Sequence, residues 1–224
     1  IEAARFADLA AAGVNRVSLG VQALDDAALA FLGRAHDVAE GLAALDTAQR
    51  HFDRVSFDLI YARPDQNADH WQAELTRALS FGTGHLSLYQ LTIEENTQFH
   101  TRAGRGEPLA SDSETAATLY EQTQTLMQAA GLPAYEISNH AAPGQESRHN
   151  LAYWHYDDYI GIGAGAHGRF VDGAGIRTAT VGKKVPEAWL QQVQQQGHGL
   201  VECSTIDAAT ARREALLIGV RVTT

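Results

Sequence analysis

The residues best equipped for chemistry crowd into one stretch, Tyr135 to Phe170: YEISNHAAPGQESRHNLAYWHYDDYIGIGAGAHGRF. It holds four histidines, five tyrosines and tryptophans, an Arg-His-Asn triplet and a Gly-x-Gly-x-Gly loop. Glycine lets a backbone approach a ligand closely, aromatic rings supply flat walls, and imidazole titrates or binds metal near neutral pH. The mixture points to a flat, phosphate-like or metal-bearing ligand. Zinc is a poor fit. His140, His149, His155 and His167 form no i,i+4 helical pair and sit in no HExxH frame. No Gly-x-Ser-x-Gly elbow supports a Ser-His-Asp hydrolase. The glycine loop is not followed by a dinucleotide-binding helix pattern, which argues against a Rossmann site. Asp157-Asp158 reads as a turn rather than a carboxylate dyad.

The elements that must position such residues follow a βα rhythm. Three segments rich in branched and aromatic residues, 16–21 (RVSLGV), 54–61 (RVSFDLIY) and 85–93 (HLSLYQLTI), each follow a helical pattern, near 2–12, 36–51 and 68–81. Gly13-Val14-Asn15 and Gly82-Thr83-Gly84 read as helix stops. Asp25-Asp26 reads as a helix start. Parallel strands joined by helices imply a doubly wound sheet or a barrel, with the ligand site at the C-terminal strand ends. Gln22, Asp58, Gln90 and Thr92 fall at those ends. Beyond Glu94 the sequence predicts a polar loop and a helix over 112–130 with Leu119, Leu126 and Met127 inward. A short strand over 135–138 follows, then a hairpin at Asp172-Gly173 leading into 176–180, and helices near 186–195 and 206–220.

The totals narrow the class. With 27 acidic against 17 basic residues the chain is acidic, which disfavours nucleic acid as a general partner. Its one cysteine, Cys203, allows no internal disulfide, in keeping with a reducing cytoplasm. No apolar run approaches the roughly 20 residues of a membrane helix. The chain opens inside a helical pattern and closes inside an apolar periodic run, and so reads as a segment of a longer protein.

Several separated motifs occur in an order that resembles a known family. They are GVNRVSLGVQALDD with LGRAHD, FDLIYARPDQ, LSLYQLTIEENTQF, and YEISNHA through ESRHNLAYW to DYIGIGAGAHGR. Together they resemble the radical S-adenosylmethionine proteins related to anaerobic coproporphyrinogen III oxidase. HNLAYW resembles the HNxxYW signature of the family's heme-chaperone branch. The resemblance covers essentially the whole chain. It implies an α/β fold: the second half of a partial (β/α)6 barrel over residues 1–170, then the start of a mainly helical C-terminal domain over 171–224. The family's CxxxCxxC cluster motif and its methionine-binding glycine loop would lie upstream.

The resemblance also implies roles. Gln22, Arg34, Asp58, Thr92 and His167 match positions on the S-adenosylmethionine side of the barrel, with Arg34 leaning in from the adjoining helix. Amide and carboxylate groups suit ribose hydroxyls, and a guanidinium suits a methionine carboxylate. His149 is the implied heme ligand, since imidazole commonly ligates heme iron. Tyr153 and Trp154 read as packing. The glycines of 161–165 would belong to the last barrel strand and face its mouth. No residue here is assigned a catalytic role or a cluster ligand. The implied cofactors are S-adenosylmethionine, heme and a [4Fe-4S] cluster held outside this segment. The implied partners are heme, a recipient hemoprotein and, peripherally, respiratory membrane proteins. Two departures stand out. Ala62-Arg63-Pro64 replaces a usual Gly-Leu-Pro and would alter the loop after the second strand, and Glu95 replaces a usual proline. Three functions stay open: a heme chaperone, a coproporphyrinogen III dehydrogenase, and a heme-binding module without radical chemistry.

Overall fold

The structure, a computed structural model, describes residues 3–222. The chain divides into two compact units, residues 1–146 and 147–224. That division falls earlier than the boundary at residue 170 expected from sequence.

The first unit is built on a four-stranded sheet in the order β1 (Arg16–Gln22), β2 (Arg54–Tyr61), β3 (His85–Gln90), β4 (Asn139–Ala141). The first three strands run parallel and β4 runs antiparallel to β3. The strand expected over 135–138 is displaced to 139–141, and β3 ends at Gln90, so Thr92 lies in the loop beyond it. A 3-10 turn and α1 (Phe6–Ala11) precede β1. Between β1 and β2 come α2 (Asp26–Phe31) and α3 (Val38–His51). Next along the chain are α4 (Ala68–Leu79), α5 (Gln98–Ala103) and α6 (Ser113–Ala129). Short polar residues mark the starts of α2 to α6, because a side-chain oxygen can accept an orphan N–H of the first turn. Asp25 accepts from Ala28 N, and Asp112 accepts from Glu114 N and Thr115 N. Asp37 and Glu40 form a complete capping box on α3.

Successive strand residues point to opposite faces, and the two faces here differ in kind. Val17, Leu19, Val21, Val55, Phe57, Leu59, Tyr61, Leu86 and Leu88 point one way and enter the hydrophobic core. Helices cover them with Leu45 and Ala48 of α3, Trp71 and Leu75 of α4, and Leu119 and Met127 of α6. Tyr61 stacks on Trp71 at 5.1 Å between ring centroids, and Trp71 Nε1 donates to Thr123 Oγ1 at 2.8 Å. The other face presents Arg16, Ser18 and Gly20 of β1, Arg54, Ser56 and Asp58 of β2, and His85, Ser87 and Tyr89 of β3. The parallel register sets these residues side by side.

The second unit carries an antiparallel sheet in the order β5 (His167–Val171), β6 (Arg177–Gly182), β7 (Leu200–Thr205). The hairpin turn falls between β5 and β6 as expected. β7 was not foreseen, although LVECST alternates as a strand should. Three helices complete the unit: α7 (Arg148–Trp154), α8 (Pro186–Gln196) and α9 (Ala208–Gly219). No helix among the described residues is long and apolar enough to cross a membrane.

Two histidines of the first unit are buried and held neutral. Burial pushes His85 down to about 3 and His140 down to about 4. Both His140 nitrogens lack a hydrogen-bond partner. In the unfolded chain each would titrate near 6.5, so below that pH the unfolded state binds more protons than the native one. Their contribution is complete above about pH 6.5 and is lost as pH falls toward 4. We predict that His140→Leu flattens the pH dependence of the urea-unfolding free energy between pH 6 and 4 by about 1.4 kcal/mol per pH unit. An unchanged slope would assign the proton uptake to other groups.

Candidate functional site

The sheet's polar face and the C-terminal ends of β1 and β2 form the candidate site of the first unit. Gln22 closes β1 in the left-handed region, at φ 73°, next to a register irregularity between Leu19 and Gln22. A non-glycine residue held there costs about 1 kcal/mol or more, and such strain is concentrated at functional positions. The turn folds the Gln22 amide back over Gly20, where an added methyl would meet Gln22 Nε2 at 3.0 Å.

Arg34 reaches this amide from the α2–α3 connection. The sequence reading put Arg34 on a helix, but α2 ends at Phe31 and Gly33 turns the chain at φ 69°. Arg34 is therefore a loop residue, and its Nη2 donates to Gln22 Oε1 at 3.0 Å. The rest of the loop is pinned on both sides. His36 Nε2 donates to Val21 O at 3.2 Å, and Val38 N donates to Asp26 Oδ1 at 2.8 Å. The LGRAHD motif thus delivers one guanidinium to the end of β1.

Asp58 stands on β2 among hydroxyls. Ser18 Oγ donates to its Oδ1 at 3.1 Å, and Ser56 Oγ donates to Ser18 Oγ at 2.7 Å. Burial pushes the Asp58 carboxyl above its ordinary range, while the hydroxyls of Ser18 and Ser87 and the charge of Arg34 pull it back. A partly buried carboxylate near a guanidinium, with few donors of its own, is an acceptor ready for hydroxyl or ammonium hydrogens. Gln22, Arg34 and Asp58 are therefore brought together. Thr92 is not part of this set: it is exposed, and its hydroxyl donates to Gln90 O at 3.2 Å.

A cleft of about 700 Å³ opens elsewhere in the first unit, lined by Leu24, Phe31, Arg63, Glu74 and Arg77 among others. Its central charges already satisfy each other. Arg63 Nη2 meets Glu74 Oε2 at 2.6 Å, and Glu74 also accepts from Leu24 N and Gln66 Nε2. None of the residues proposed from sequence lines it.

The second unit holds the other two proposed residues. His149 is exposed near the start of α7, which Ser147 caps. Its ring meets Tyr153 edge-on at 4.6 Å, and Tyr153 meets Tyr159 edge-on at 4.4 Å. Helical i,i+4 spacing produces the first contact. Just beyond α7, Tyr156 has φ 59° and donates its hydroxyl to Glu214 Oε2 at 2.5 Å. The Arg177 guanidinium lies over the Tyr156 ring at 3.8 Å. Ile160 and Ile162 follow along the chain, 74% and 86% exposed.

His167 opens β5 and is exposed. The glycines before it form an irregular loop, not a strand of the four-stranded sheet as the resemblance implied. They permit close packing inside the second unit: a methyl on Gly161 would strike the His167 backbone, and one on Gly182 would meet Gly163 O at 2.7 Å. Trp154 packs under the Arg221 guanidinium at 4.6 Å.

Sequence reasoning missed Ser18, Ser56, Ser87, Tyr89, Glu136 and Asn139. The signal was present as Arg-x-Ser, Arg-x-Ser and His-x-Ser at matched positions of three strands. Polar residues at period two mark the face opposite the core.

The α/β fold has a counterpart among solved structures. It is similar to the solved structure of Escherichia coli coproporphyrinogen III oxidase, HemN, with a TM-score of 0.75 at 20% identity, over 99% of this chain and 53% of that one. No family model matches the chain. Its sequence is 40% identical over 221 residues to mouse radical S-adenosyl methionine domain-containing protein 1, covering 97% of this chain and 50% of that protein. It is 42% identical over 184 residues to the Escherichia coli heme chaperone HemW, covering 80% and 47%. To Bacillus subtilis HemW it is 33% identical over 224 residues, covering 100% and 58%. The chain is thus similar to radical S-adenosylmethionine proteins along almost its whole length, and it spans about half the length of the curated relatives it matches.

The backbone at Gln22 yields a test independent of any ligand. Gln22→Ala and Gln22→Gly both lose the bond to Arg34, but only alanine keeps the left-handed strain. Gln22→Ala is expected to be the less stable by about 1 kcal/mol in urea unfolding. Equal stabilities would show that the position is not left-handed.

Proposed function

We propose that this chain is the part of a radical S-adenosylmethionine heme chaperone that faces S-adenosylmethionine with its first unit and heme with its second. The observation that carries the reading is the convergence of Arg34 on Gln22 beside Asp58, at the C-terminal ends of parallel strands. Ligands of α/β folds bind at those ends. The donor set fits S-adenosylmethionine. Asp58 accepts hydroxyl or ammonium hydrogens, Gln22 offers an amide, and Arg34 keeps donors for a carboxylate. Which atom each residue meets is left open. Thr92 contributes, in this reading, only as a loop neighbour of a bound molecule.

The set does not fit an iron–sulfur cluster. Such a cluster is held by cysteine thiolates, and Cys203, the one cysteine of the sequence, is exposed on β7. A [4Fe-4S] cluster of the whole protein would take its ligands from outside this segment. When present it would supply one electron, and no residue described here is assigned a step on it.

For heme, His149 offers an exposed imidazole with no hydrogen bond to its ring among the described residues. The tyrosine ladder beside it and the exposed Ile160 and Ile162 suit an apolar macrocycle. Transfer of heme to a recipient hemoprotein, at the cytoplasmic face of respiratory membrane proteins, completes the reading.

Two measurements on the intact protein test it. Asp58→Asn and Arg34→Ala are each expected to weaken S-adenosylmethionine binding about tenfold by calorimetry, the loss of one charge-assisted hydrogen bond. Wild-type affinity in both variants would remove the site. His149→Ala is expected to lose the Soret shift on heme titration, and a mutant with an unchanged shift and affinity would take His149 off the list of ligands. Anaerobic conversion of coproporphyrinogen III by the intact protein would replace the chaperone reading with a dehydrogenase.

A further inference from the structure

Asp58 sits at one end of a hydrogen-bonded row that crosses the sheet to a second carboxylate. Ser87 pairs in register with Asp58 across β2 and β3 and faces it. Ser87 Oγ donates to Asn139 Oδ1 at 2.7 Å on β4. Asn139 Nδ2 donates to Glu136 Oε1 at 2.6 Å, and Ser138 N donates to the same oxygen at 2.8 Å. The row is shielded: Ser87 is 4% exposed, Asn139 3% and Glu136 0%.

The direction of these bonds has a consequence. An ionised carboxylate only accepts, whereas an amide has one accepting and one donating end. Glu136 therefore dictates the flip of Asn139, with its NH2 toward Glu136 and its oxygen toward Ser87. Ser87 has one hydroxyl proton, for which Asn139 Oδ1 and Asp58 compete, with the Tyr89 hydroxyl also in reach of Ser87 and Asn139. A proton drawn to Asn139 is withheld from Asp58. Asp58 then keeps Ser18 as its hydroxyl donor and holds its remaining lone pairs open.

We propose that Glu136 is a positioning residue which, through Asn139 and Ser87, keeps Asp58 available as an acceptor for the bound ligand. The proposal rests on the reading of Asp58 as an S-adenosylmethionine contact. Glu136 itself touches no ligand. A purely structural Glu136 would tie β4 to the sheet and nothing more. Glutamine separates the two roles, because it preserves the shape and an accepting oxygen but can turn its NH2 toward Asn139. Asn139 is then free to flip, and Ser87 to satisfy Asp58.

The test is a double-mutant cycle in the intact, cluster-loaded protein, with S-adenosylmethionine affinity read by calorimetry. Glu136→Gln is expected to weaken binding about three- to tenfold, the range of one hydrogen bond, and to unfold in urea as the wild type does. In a Ser87→Ala background the same substitution is expected to change nothing, since the relay is already cut. An equal loss in both backgrounds, or no loss from Glu136→Gln alone, overturns the proposal. Should Glu136→Gln not fold, Asn139→Ala replaces it in the cycle with the same two expectations. Asp58→Asn is measured alongside. If it binds like the wild type, the ligand site itself fails. If it weakens binding while the cycle shows no coupling, only the role of Glu136 fails.

Discussion

The parallel register of β1, β2 and β3 is the constraint on which the first unit depends. Period-two alternation sends every second residue into the helix-covered core and leaves the others facing away. A shift of one residue in any strand would exchange the faces, burying Ser18 or Asp58 and exposing Leu19 or Phe57. The cost of burying those polar groups without partners keeps the register unique. One device therefore both closes the core and sets Ser18 beside Ser56 and Asp58 beside Ser87 on one face.

The ends of the strands need a second device, because alternation alone cannot aim a side chain past the last rung. At β1 the chain leaves the extended region at Gln22, and the strained turn presents the amide sideways. The loop after α2 meets it with Arg34, held by His36 on Val21 and by Asp26 and Asp37 at the start of α3. Helix capping thus reaches the site: the caps that begin α3 fix where the preceding loop must run, and the loop fixes the guanidinium.

Much of this was legible in the sequence where a residue's own type forces its neighbourhood. Asp25, Asp112 and the Gly-bearing stops located helix ends to within two residues, since caps and left-handed turns are local chemistry. Gln22 was found because it closes an apolar strand, and Asp58 because it is a lone carboxylate inside one. Arg34 was found by motif and misplaced by periodicity, for ALAFLG continues a helical pattern that Gly33 breaks. Thr92 was drawn into β3 because Leu91 and Ile93 extend its alternation, yet β3 has no ladder partner beyond Gln90. β4 and the Glu136–Asn139 pair were illegible for a different reason. Three residues pair with a strand some fifty positions earlier, and no local pattern records that. The same holds for the glycines of 161–165, whose spacing serves contacts with His167 and Gly182 rather than a strand.

The loop after β2 shows how the strand ends beside the candidate site are tied together. Ala62 occupies φ 58°, a region where glycine is unstrained and alanine is not, so the position carries a local cost. The next residue offsets it. Arg63 is buried, donates to Ile60 O at 3.0 Å, and meets Glu74 of α4 at 2.6 Å. An isolated buried ion pair gains little after desolvation. This one is better satisfied, since Glu74 also accepts from Leu24 N and from Gln66, and Arg77 donates to Leu24 O at 3.1 Å. Leu24 lies two residues beyond Gln22, and Ile60 two residues beyond Asp58. The ion pair therefore joins the ends of β1 and β2 and helps to hold Gln22 and Asp58 in one frame.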